Sequence, residues 1–175
     1  QPVTQRERTF PTQQRLISTT DAKGQITYCN DAFVEISGFS REELLHAPHN
    51  IVRHPDVPSA VFEHMWTTLK SGKPWMGVVK NRCKSGDHYW VNAYVTPMRE
   101  NNQITGYESV RVKPTPEQVR RAEALYQRIN AGKSAVPASD RWLPVVQAWM
   151  PFILVSQIGF LIGHWMGSSW GFALA

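Results

Sequence analysis

After Arg141 the chain carries no Asp, Glu, Lys or Arg through Ala175, a run of 34 residues that holds four of its seven tryptophans. Residues 1–141 are ordinary charged sequence, so the chain has two regimes. A helix that crosses a ~30 Å hydrocarbon core needs about 20 mostly apolar residues, and residues 147–167 supply them. Trp149 lies near one end of that window and Trp165 and Trp170 near the other, where indole rings favour the lipid–water boundary. Lys133 and Arg141 precede it, which keeps the N-terminal side in the cytoplasm. The window therefore predicts a transmembrane helix over 147–167; a buried helix of a soluble domain is the alternative. Gly159, Gly163, Gly167 and Gly171 recur every four residues and would align a smooth ridge for a second helix, so a homodimer is expected. Residues 168–175 read as a turn and the start of a possible second membrane leg, which points to a longer protein with its output module beyond Ala175.

The charged part excludes several classes. Its basic residues form no tract of five or six, so nothing argues for nucleic acid. Two cysteines exclude a disulfide scaffold and a multi-Cys zinc site. No Walker loop, Rossmann glycine string or hydrolase triad is present. The lack of a catalytic set points to a sensor rather than an enzyme.

Residues 1–15 are polar and proline-containing and read as a mobile arm. Leu16–Thr20 and Gln25–Cys29 are strand-like pieces about an Asp21-Ala22-Lys23-Gly24 turn. Asn30 can cap a short helix through Ser37, and Ser40-Arg41-Glu42-Glu43 has the capping-box pattern. Val61, Phe62, Met65, Trp66 and Leu69 have helical spacing over Pro58–Ser71. Then the period changes. Trp75–Cys83, His88–Met98 and Ile104–Val112 read as longer strands, with Tyr89, Val91, Ala93 and Val95 on one face of the middle one. Cys83 reads as an exposed free thiol. The order predicts an α+β fold over 16–113: a five-stranded antiparallel sheet with short helices on one face, a natural pocket. Thr115-Pro116-Glu117-Gln118 starts a linker helix over 114–132, and 133–146 form a linker.

Two strings are distinctive: Pro48-His49-Asn50-Ile51-Val52-Arg53-His54-Pro55-Asp56, and Lys73-Pro74-Trp75 continuing through Asn81 to Gly86-Asp87-His88-Tyr89-Trp90. With the predicted fold they resemble the PAS domains of the bacterial aerotaxis-receptor (Aer) family, membrane-bound energy- and oxygen-taxis transducers. The resemblance covers about residues 14–132. It implies a non-covalent FAD whose redox state the PAS domain reads, a place in the bacterial inner membrane with the PAS domain cytoplasmic, and a downstream HAMP-like and kinase-controlling region. By motif position it implies cofactor contacts from Arg53, His54, Asp56, Trp75, Asn81 and Asn30.

The residue types suit such a ligand. Trp75 can stack on or wall an isoalloxazine ring. Asn81 offers a donor and an acceptor to its uracil-like edge. Arg53 and His54 can donate to ring, ribityl or phosphate oxygens, and Asp56 could hold Arg53 in place. Bland roles stay open: an Arg53–Asp56 surface pair, Trp75 in the core, Asn81 on a strand edge. The segment Asn50–His54 lacks the cysteine that a blue-light adduct requires. Haem on His49, His54, His64 or His88 is the alternative ligand. A cofactor-free dimerisation module and a membrane-tethered flavin oxidoreductase are the remaining readings.

Overall fold

The computed structural model describes residues 2–135. The predicted membrane helix over 147–167, the linker before it and the segment after it lie outside the described residues. Among the described residues, no helix is long and apolar enough to cross a membrane.

Five strands form the framework: β1 (Leu16–Asp21), β2 (Ile26–Cys29), β3 (Trp75–Arg82), β4 (His88–Glu100) and β5 (Gln103–Val112). They pair antiparallel in the order β2-β1-β5-β4-β3, as the α+β reading expects. Between β2 and β3 run α1 (Asp31–Ser37), α2 (Arg41–Leu44), a 3-10 turn (His49–Val52) and α3 (Ser59–Lys70). The local signals in the sequence act as read. Asn30 caps α1, and Ser40 closes a capping box with Glu43. The β4–β5 hairpin is tighter than expected. Asn101 and Asn102 both take positive φ, 48° and 65°, so a two-residue turn suffices and the strands run on past Met98.

Period-2 alternation divides the sheet into two faces. Leu16, Ser18 and Thr20 of β1, Tyr107, Ser109 and Arg111 of β5, and Tyr89, Val91 and Ala93 of β4 are all buried and point inward. The register aligns Ser18 with Ser109, Ser109 with Val95, and Val95 with Trp75, one continuous row across four strands.

The helix expected over 114–132 is α4 (Pro116–Asn130), started by the Thr115 capping box, and it packs back on the outer face of the sheet. Its Tyr126 ring stacks near Trp90, the hydroxyl donates to the Val78 carbonyl, and Ala122 and Tyr126 are buried. Two expectations need correction. Cys83 is not exposed. It is fully buried, its thiol donates to the Ile36 carbonyl at 3.3 Å, and burial raises its pKa, as it does that of buried Cys29.

The N-terminal arm is the second correction. The Thr4 amide donates to the Gly86 carbonyl at 2.8 Å and Arg8 to His88 at 2.7 Å, while His88 donates back to Arg6 at 3.0 Å. Arg6 and Thr4 hold Asp87 from above, keeping its carboxyl well below the usual carboxylate range, at about 2. Phe10 is 5% exposed. A polar composition concealed one apolar anchor and an extended backbone partner. Phe10→Ala should therefore destabilise the chain by ~3–5 kcal/mol in denaturant unfolding; a free arm would lose less than about 0.5 kcal/mol.

Candidate functional site

Between the inner face of the sheet and α3 lies a half-enclosed, largely apolar cavity. A small residue on β4, Ala93, helps to make it, and Gly77 on β3 makes room for its end wall. Gly77 pairs with Ala93, and Ala93 with Arg111. The Trp75 ring lies across Gly77, where a Cβ would come within 2.4 Å of it. Trp75 thus walls one end, held by its Nε1 donating to His64 Nδ1 at 3.1 Å. The stripe of α3 supplies the opposite wall with Phe62, Met65, Trp66 and Leu69. The slot leaves about 80 Å³ for the centres of water molecules, room for several waters.

Arg53 and Asn81 form the edge-strand rim. They are joined by an antiparallel backbone bridge, and both line the cavity. Arg53 lies with its guanidinium 4.6 Å from the Phe62 ring centroid. It does not pair with Asp56, which faces the other way. Asp56 Oδ2 accepts from Lys80 Nζ at 2.7 Å and lies 3.5 Å from His54 Nδ1. Lys80 belongs to the outer face, beside the Trp90 ring. The segment 53–56 therefore wraps the sheet edge. Arg53 serves the inner cavity, and His54 and Asp56 serve the outer side, where Asn130 of α4 donates to the Asp56 carbonyl at 2.9 Å.

Across the slot the wall is polar. Arg111 Nη2 donates to Ser18 Oγ at 3.0 Å and to His49 Nε2 at 2.6 Å. Because Arg111 only donates, His49 must accept at Nε2 and is neutral. Burial and the Arg111 charge accordingly push its pKa down to about 3. Thr20 Oγ1, Ser109 Oγ and Arg111 Nη1 are buried without partners.

Of the residues expected to touch a cofactor, Arg53, Trp75 and Asn81 come together on the cavity. His54 and Asp56 stand behind Arg53 at the outer edge. Asn30 is elsewhere: its Oδ1 accepts from the Ile17 and Phe33 amides and its Nδ2 donates to the Arg15 carbonyl, so it ties β1 to α1. Of the histidines considered for haem, His49 alone lines the cavity, and its Nε2 is engaged by Arg111. Sequence reasoning missed Ser18, Thr20, Ser109 and Arg111. The available signal was polar residues at alternate, inward positions of strands whose other inward positions are apolar.

A helix-covered five-stranded antiparallel sheet with an apolar, cation-rimmed cavity on its inner face defines a sensory α+β domain of the PAS type. Residues 26–111 match the family described as the PAS fold, and the chain belongs to it. It is 49% identical over 148 residues to the aerotaxis receptor of Escherichia coli K12, a match that takes in 85% of this chain and 29% of that receptor. A nitrogen fixation regulatory protein of Klebsiella pneumoniae is 31% identical over 135 residues, 71% of this chain and 27% of that protein. The chain thus spans under a third of the length of these relatives. Its fold also matches a light-oxygen-voltage domain solved in a study of a flavin analogue, with a TM-score of 0.57 and 19% identity over 69% of this chain and 90% of that one. The light-state Aureochrome1 domain matches with a TM-score of 0.56 and 19% identity over 66% and 91%. At that identity the likeness is one of fold.

The buried histidines have a consequence for stability. His54 is lowered from 6.5 to about 4, first by burial and then by Lys80. Between those values the unfolded imidazole holds a proton that the folded one refuses, so stability is lost as pH falls from about 6.5 to about 4. Each such histidine adds a slope of up to about 1.4 kcal/mol per pH unit. In His54→Asn the loss of stability between pH 6.5 and 4, measured by denaturant unfolding, should be shallower; an equal slope would show that His54 is protonated in the fold.

Proposed function

We propose that this PAS domain is a redox sensor that carries a non-covalent FAD in the cavity over the sheet and reports electron-transport state to a membrane-anchored signalling protein. The observation that carries the reading is the convergence of Arg53, Trp75 and Asn81 on one cavity, in a chain 49% identical to an aerotaxis receptor. The residues fit the group. The slot is largely apolar and lined by aromatic rings, as a tricyclic ring requires, and its unpartnered buried polar atoms would suit a ligand that brings acceptors. A flavin supplies reversible electron uptake coupled to protonation at its ring nitrogens. The protein's part is to bind, orient and read.

In this reading Trp75 and the α3 stripe would wall the ring, and Arg53 and Asn81 would close the edge-strand rim over polar atoms of the ring or its chain. The Arg53–Asn81 backbone bridge ties any shift of these two to the 53–56 segment. His54, Asp56 and Lys80 pass it to the outer face, and the Asp56 carbonyl to Asn130 of α4. Asn30 contributes by keeping β1 and α1 in register. The domain lies on the cytoplasmic side of the bacterial inner membrane, anchored by the 147–167 segment, as a homodimer. Its output is a HAMP-like or kinase-controlling module supplied by the whole protein.

The purified chain should be yellow, with oxidised-flavin absorbance near about 450 nm that bleaches with dithionite. Arg53→Ala and Trp75→Ala should each weaken FAD binding about tenfold or more, ~1.4 kcal/mol. A haem spectrum without flavin would overturn the cofactor, and full occupancy in both variants would overturn the placement of the pocket.

A further inference from the structure

Arg111 is a buried cation without a counter-ion. The residue is 3% exposed, and among the described residues no Asp or Glu forms an ion pair with it. The groups set against its charge are neutral: the Ser18 hydroxyl, the His49 ring nitrogen, the nearby Tyr89 phenol and the Phe33 ring, whose centroid lies 5.0 Å from the guanidinium carbon. Burial lowers its pKa to about 10, which still leaves it charged at neutral pH. Removing an ion from water without compensation is costly. Yet Nη1 points to no protein acceptor, and the side chain lines the cavity. Two more buried groups beside it, the hydroxyls of Thr20 and Ser109, are equally unpartnered. All three sit on the paired strands β1 and β5 and face one space.

A purely structural account would have Arg111 present to satisfy Ser18 and His49. Those two do not need it. Ser18 Oγ lies 3.3 Å from His49 Nε2, so the hydroxyl can donate to the ring directly. What remains is a positive group and two hydroxyls kept in reserve for a ligand.

We propose that Arg111, Thr20 and Ser109 form a ligand subsite at the β1–β5 end of the cavity, built for an edge that carries negative charge or strong carbonyl acceptors. Resting on the flavin reading above, that edge is the pyrimidine side of the ring, and Arg111 favours the reduced form. Two electrons from an external reductant (dithionite in the test) and one proton from water leave the ring with one added negative charge. That charge is borne on the edge Arg111 faces, where a desolvated guanidinium acts at full strength.

The test uses the full detergent-purified chain and the variants Arg111→Met and Arg111→Lys. With flavin removed, Arg111→Met should melt at or above the wild-type temperature, because an uncompensated ion has been replaced by an unbranched, flexible apolar chain. A lower melting temperature, or failure to fold, would assign Arg111 to the framework and overturn the subsite. With FAD added, Arg111→Met should bind at least tenfold more weakly. Its midpoint potential should fall by about 30 mV or more, the equivalent of a tenfold loss of preference for the reduced form in a two-electron couple. Arg111→Lys should recover most of that shift. A yellow wild type whose Met variant keeps the same affinity and potential overturns the subsite and leaves the sensor reading standing. A wild type that takes up no flavin overturns the sensor reading, and the melting comparison then decides the subsite alone.

Discussion

Antiparallel register is the constraint from which the rest of this domain follows. A strand presents alternate residues to alternate faces, so a slip of one residue would exchange the entire inner set for the outer one. The row Ser18–Ser109–Val95–Trp75 and its neighbour through Leu16, Arg111, Ala93 and Gly77 exist only in the observed pairing. The first row sets polar groups at one end and an indole at the other. The second leaves room over the sheet at Ala93, and at Gly77 it lets the Trp75 ring lie down as a wall. A hollow over the sheet is thus specified by which residues are small, as much as by which are large. The same alternation sends Lys80, Trp90 and His88 to the outer face, where α4 and the N-terminal arm cover them.

Charge completes what shape begins. Arg53 and Arg111 both line the cavity, and no carboxylate does. The carboxylate nearest in sequence, Asp56, is turned away to Lys80. In a medium of reduced dielectric this leaves a positive potential that protein groups do not cancel. Folding alone gains nothing from that arrangement, since each unpaired buried donor costs stability. Such costs are tolerated where a ligand removes them, and that is the role the proposed subsite gives to the uncompensated cation over the apolar floor.

Sequence reading succeeded where the signal is local. The cap residues Asn30, Ser40 and Thr115 each begin a helix because a side-chain oxygen satisfies an amide that would otherwise lack a partner, a requirement visible within four residues. The alternation of β4 was legible for the same reason. Failure came where the partner lies far along the chain. Nothing near Phe10 announces that it packs into the core, and nothing near Cys83 shows that Ile36 receives its thiol. Arg53 and Asp56 are spaced as an ion pair, yet the nearer competitor for Asp56 is Lys80, 24 residues away and fixed to the edge strand. At the site, the motif strings led to Arg53, Trp75 and Asn81. The β1 and β5 contributions were missed because a serine, a threonine and an arginine in a strand look like surface until the register turns them inward.

On the proposed function, the two sides of the edge strand would let one domain both hold a ligand and report on it. Residues 53 and 81 are bridged backbone to backbone, so they cannot move independently. Residues 54 and 56 follow Arg53 around the edge and meet Lys80 and α4 without passing through the core. Close-packed interiors resist continuous deformation and prefer discrete rearrangement. The 53–56 segment is tied to the sheet edge and to α4 by hydrogen bonds, with buried His54 as its packed anchor, so its alternative arrangements are discrete ones. The energy available to shift it is bounded by the difference in the ligand's affinity for the two arrangements. On the proposed function, a ligand that changes charge beside Arg53 and Arg111 would change that difference directly, because both guanidiniums line the cavity without a carboxylate.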